Sequence, residues 1–102
     1  MQNNYIDNSV LTVLPHIMNI ETIEECVATF KALLSQRKQN VVIDASKVEN
    51  ITTSGLQLII SLEKTLSTAG CTFLVKDESE IFSAAFKEAG LENFLSGRKY
   101  NG

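Results

Sequence analysis

At 102 residues, 44% hydrophobic and 21% charged, the chain has the size of one domain (1–102) and enough apolar content to bury its own core without metal or disulfides. Its net charge of −3 leaves no basic excess to neutralise nucleic-acid phosphates and no polybasic patch for an anionic membrane. Two cysteines, Cys26 and Cys71, and the single histidine His16 make neither a zinc set nor a CxxC pair. No metal or cofactor is expected, and both thiols read as buried small hydrophobes.

Residues 1–8 are polar and read as a tail, with neither the basic residues nor the apolar run of a signal peptide. No stretch has the uninterrupted apolar length of a membrane span. Together these predict a cytoplasmic protein with no membrane insertion. Residues 10–14 (Val-Leu-Thr-Val-Leu) predict a strand, closed by Pro15. A helix follows from about residue 21 to 37. Ile20, Ile23, Cys26, Val27, Phe30, Leu33 and Leu34 fall on one face of it. Asn19 is placed to cap its start, and Thr22 with Glu25 fits a capping box.

The β-branched run Val41-Val42-Ile43-Asp44-Ala45 predicts a central strand covered on both faces. Val48 and Ile51 are the apolar anchors of the polar connection that follows. A second helix begins at Thr53 or Ser54, is apolar over most of its circumference, and ends before Gly70. Residues 71–75 predict the next strand. Asp77 or Ser79 then caps a third helix, Asp77 with Glu80 fitting a capping box, and Ile81, Phe82, Ala85, Phe86 and Ala89 form its buried stripe. Leu91, Phe94 and Leu95 add a short apolar element, and 96–102 read as a second tail. The order β-α-β-α-β-α predicts an α/β fold with a mostly parallel sheet of about four strands and one face less covered than in a doubly wound fold.

No enzyme constellation emerges. His16 sits in a loop beside Pro15 with no nucleophile motif near it. Asp44 ends a strand with no second carboxylate, lysine or histidine placed to work with it, and reads as an acceptor for the backbone of residues 46–48. Gly55 has neither the partner glycine nor the lysine of a phosphate loop. The distinctive stretch is Thr52-Thr53-Ser54-Gly55, three consecutive hydroxyls at a helix start. One of them caps the helix, and Ser54 reads as that cap or as a backbone anchor. Three exceed that need, and a phosphoryl group added there would meet free N–H groups and the positive end of the helix dipole.

The segment Val42-Ile43-Asp44-Ala45-Ser46, followed by Ile51-Thr52-Thr53-Ser54-Gly55-Leu56, resembles the signature of the STAS domain, a family that includes bacterial anti-sigma factor antagonists. The likeness runs from about residue 11 to 95. It implies a STAS-like fold and a regulatory, non-enzymatic protein-binding module. It also implies Thr53 as phosphate acceptor, with Ser54 as second choice, and a kinase-like anti-sigma factor as partner. The contact surface would comprise Thr52, Thr53, Ser54, Gly55, Gln57, Ser61 and Lys64, with Gly55 allowing close approach of the partner. The sequence departs from the family pattern at Thr52, where antagonists carry an acidic residue. Short STAS proteins also resemble docking subunits of chemotaxis systems or lipid-transport ATPases, and this departure supports that alternative. A nucleotide-binding protein is a third reading, weakened by the missing glycine-rich cradle.

Overall fold

A computed structural model of the chain describes residues 9–36 and 40–100. The elements in chain order are β1 (Ser9–Val13), β2 (Ile17–Met18), α1 (Ile20–Gln36), β3 (Asn40–Asp44), β4 (Asn50–Ile51), α2 (Thr53–Thr68), β5 (Phe73–Lys76), α3 (Glu80–Glu88) and α4 (Glu92–Ser96). The main sheet runs β1-β3-β5, all parallel, with Leu11 opposite Val42 and Val42 opposite Leu74. β2 and β4 form a separate parallel ladder, Ile17 facing Asn50 and Met18 facing Ile51. The parallel α/β architecture is the one expected. Its strands are divided between a three-stranded sheet and this ladder, whose two-residue strands are too short to carry a period.

Spatial order in the main sheet follows chain order, and crossovers of one hand then stack the helices on one face. The side chains follow suit. Val41, Ile43, Phe73 and Val75 join Phe30, Ile59, Leu66, Phe82 and Phe86 in one continuous core. The alternate residues of the strands point the other way, where Leu11 and Val13 remain 55% and 49% exposed. The segment 41–45 is the central strand that was expected, with Val41, Val42, Ile43 and Ala45 all buried; the exposed positions belong to the edge strand β1. Val42 is buried but lies outside the continuous core.

Local capping differs in detail from the sequence reading. At α1, Asn19 Oδ1 accepts from the N–H groups of Glu21 (3.0 Å) and Thr22 (3.2 Å), while Thr22 Oγ1 accepts from Asn19 N–H (3.1 Å). The reciprocal box is thus Asn19 with Thr22, not Thr22 with Glu25. At α3 the cap is Ser79, whose Oγ accepts from Phe82 N–H (3.1 Å) and donates to the Val48 carbonyl (2.6 Å). Asp77 takes no part in capping and sits at φ 52°. Ile20, Ile81 and Ala89, read as buried, are exposed. Leu33 and Leu34 lie outside the residues whose side chains are described. Cys26 and Cys71 are only half-buried, though both pack against the core, and burial pushes the Cys26 thiol up.

The stretch read as a C-terminal tail is part of the fold as far as Tyr100. Val75 N–H donates to the Arg98 carbonyl (2.7 Å) and Tyr100 N–H donates to the Val75 carbonyl (2.9 Å), so Lys99 bridges β5 in parallel. Arg98 fixes this segment. Its guanidinium pairs with Glu63 (2.8 Å), donates to the Phe94 carbonyl (2.9 Å) and lies 4.2 Å over the Phe94 ring.

Candidate functional site

The chain leaves β3 at Asp44, whose Oδ1 accepts from Ser46 N–H (2.9 Å). The Ser46 hydroxyl first, and then this backbone N–H, hold the Asp44 carboxyl below the usual carboxylate range, with nearby Lys76 and Lys47 adding to it. Asp44 is thus the turn-former that the sequence suggested. Val48, almost wholly buried, and Ile51, packed on the core, then anchor the connection. His16 remains on the surface, its Nδ1 3.4 Å from Glu49.

β4 delivers the chain to the start of α2. The next amide continues the short ladder: Thr52 N–H donates to the Met18 carbonyl (2.9 Å). Thr52 is extended (φ −88°, ψ 171°) and is the N-cap, its Oγ1 accepting from Gly55 N–H at 3.3 Å. The same hydroxyl donates to the Met18 carbonyl at 3.3 Å. Thr52, rather than Ser54, is therefore the capping residue, and its hydroxyl is engaged both as donor and as acceptor.

Gly55 is buried. A Cβ there would stand 2.7 Å from the Met18 carbonyl oxygen and 3.1 Å from Met18 Cβ. Its missing side chain lets α2 pack directly on β2. The reading of Gly55 as a place where a partner comes close is corrected accordingly.

Thr53 and Ser54 occupy the first two positions of α2. Both are exposed, and neither hydroxyl has a hydrogen-bond partner among the described residues. Their N–H groups are free as well, as first-turn amides are. At about 100° per residue the two hydroxyls face different ways. Thr53 lines a groove of about 290 Å³ together with Ile51, Thr52, Leu56, Ala85, Glu88 and Ala89. Ser54 heads the stripe that continues through Leu58, Ser61 and Thr65, and these three line a second groove of about 260 Å³ against α1. Gln57 and Lys64 are exposed and follow Thr53 along the solvent side of α2. The structure so brings Thr53, Gln57 and Lys64 onto one stripe and turns Ser54 and Ser61 towards α1. The first turn of α2 holds no acidic residue.

The far wall of the Thr53 groove was not legible in the sequence. Ala85 and Ala89 read there as core, and nothing in their spacing says that α3 returns beside the start of α2. Met18, whose carbonyl ties down Thr52, carried no signal either. Among the described residues no cluster of histidine, cysteine and carboxylate side chains could hold a metal ion. No described helix is long and apolar enough to cross a membrane.

A family model described as "Mlab, STAS domain" matches residues 8–96, and the chain belongs to that family. Among solved structures, it is similar to a Thermotoga maritima protein provisionally described as an anti-sigma factor antagonist. The TM-score is 0.73 at 22% identity, over 87% of this chain and 77% of that one. At that identity the likeness concerns the fold. No curated protein matches the chain.

Proposed function

We propose that this chain is a cytoplasmic regulatory module that binds another protein through the start of α2, and that Thr53 is the residue at which binding is switched by phosphorylation. The carrying observation is the Thr53 hydroxyl, exposed, without an intramolecular partner, and lining a groove. Ser54 shares its exposure but not the groove, which supports Thr53 as the acceptor. A phosphoryl group there adds a charge of roughly −2 beside two free N–H groups and the positive end of the helix dipole. It also fills space that a bound partner needs. The domain acts by docking rather than catalysis: His16 pairs with Glu49, Asp44 serves its own turn, and neither lines the groove. Incubation of the full chain with the serine kinase of the anti-sigma type from the same host, followed by phosphate mapping by mass spectrometry, tests the reading. Phosphate on Thr53 is expected; none, or phosphate only outside residues 52–54, overturns it.

Thr52 favours a second reading, an unswitched docking subunit of a chemotaxis or lipid-transport assembly. The resemblance to antagonists predicts an acid there, and this chain has a neutral side chain already spent on the helix cap and the Met18 carbonyl. The same turn then serves as a permanent contact. Co-purification from the native host decides: a chemotaxis or transport component supports docking, and an anti-sigma kinase alone overturns it.

A further inference from the structure

The groove beside Thr53 has one charged group. Ile51, Leu56, Ala85 and Ala89 form the apolar part of its lining, and Thr52, Thr53 and Glu88 are the polar residues that complete it, so that about half of the lining is polar. Glu88 is exposed and has no ion pair among the described residues. The two alanines explain why the space exists: small side chains one helical turn apart on α3 leave a recess where larger ones would close onto Leu56. A recess with an apolar wall, a polar wall and a single unpaired acid is complementary to an apolar side chain accompanied by a cation. It is hostile to an acidic segment, whose charge would be brought against Glu88.

From this we infer that the groove between the start of α2 and α3 receives an apolar segment of the partner protein that carries an arginine or lysine, and that Glu88 selects for that cation. The inference rests on the reading of the Thr53 turn as the contact surface and names the chemistry of what it contacts. Arginine fits best, since its planar fork can take a carboxylate bidentately while its stem lies along the alanine wall. It also accounts for how a switch at Thr53 operates in an acidic groove. A phosphoryl group would not repel a basic segment by sign; it excludes the segment by occupying the recess. Glu88 is thereby a specificity-determining residue that neither the hydroxyl turn nor the family signature includes.

The test uses the full chain, labelled with ¹⁵N, titrated with three synthetic peptides that share one amphipathic, apolar-faced sequence and carry arginine, glutamine or glutamate at its centre. The arginine peptide should bind about 3- to 10-fold more tightly than the glutamate peptide, with amide shifts at Thr53, Ala85, Glu88 and Ala89. Glu88→Gln should reduce that preference and Glu88→Lys should reverse it. Because residue 88 is exposed, both variants should keep the parent melting temperature, so a lost preference is not a lost fold. Equal binding of all three peptides with shifts still at residues 51–56 overturns the cation contact and leaves the Thr53 surface standing. Shifts confined to α1 and the far side of α2, or no binding by any peptide, overturn both.

Discussion

The Met18 carbonyl oxygen lies where a side chain on Gly55 would begin, 2.7 Å from the position of an added Cβ. That oxygen also accepts from the amide and hydroxyl of Thr52. One backbone carbonyl on a two-residue strand therefore sets both the cap of α2 and how closely the helix approaches. Gly55→Ala should force this contact apart, at a cost of about 1–3 kcal/mol. In a domain of this size each kcal/mol lowers the melting temperature by roughly 4–8 °C. Thermal unfolding by circular dichroism measures it, and an unchanged midpoint would show that β2 yields freely.

Thr52 and Thr53 should separate cleanly in stability. Thr52→Val removes the cap and the bond to Met18, and should cost about 1–2 kcal/mol. Thr52→Asp keeps a capping acceptor and should stay within about 1 kcal/mol of the parent. Thr53→Val should change stability by less than about 0.5 kcal/mol, since its hydroxyl bonds to nothing in the fold. Chemical denaturation of the three variants reads the order. A Thr53 variant as unstable as Thr52→Val would contradict the assignment of the cap.

Thr53→Glu should leave the fold intact, or stabilise it by a few tenths of a kcal/mol through the helix dipole, while weakening partner binding. The measurement pairs a melting curve with the affinity of whatever protein co-purification recovers. Full affinity with an intact fold would remove the turn from the interface.

Asp44 gives a pH signature. Its carboxyl titrates below the ordinary value because the charged form accepts from Ser46. A lowered folded-state pKa stabilises the fold at pH above the unfolded value of about 3.9, and that contribution is lost as pH falls through the folded value. Asp44→Asn keeps an acceptor oxygen without the charge. The parent should therefore be the more stable protein near neutrality, and the gap should close as the pH drops below about 4. Melting temperatures of both proteins across the acid range check this; a gap that widens on acidification would reverse the sign.

Arg98 should hold the C-terminal segment on β5. Arg98→Ala removes the Glu63 pair, the bond to the Phe94 carbonyl and the ring contact, a loss of about 1–2 kcal/mol. Hydrogen exchange at the Tyr100 amide, which donates to Val75, should quicken most. Arg98→Lys should restore little of it, because lysine lacks the planar fork.

What the amino-acid sequence determined here was local and periodic. The β-branched run at 41–45, the helical spacing of Phe82 and Phe86, and Gly70 after α2 fixed the main elements and their alternation, because each depends on side chains a few residues apart. The hydroxyl run at 52–54 marked the surface by its chemistry alone. Tertiary structure decided which hydroxyl does what. Thr52 became the cap because the Met18 carbonyl, 34 residues earlier, holds it extended. Gly55 turned inward because β2 lies against it. Thr53 rather than Ser54 lines a groove because α3 comes back beside it, bringing Ala85, Glu88 and Ala89. These are contacts between segments far apart in the chain, and no spacing or propensity within a single segment encodes them.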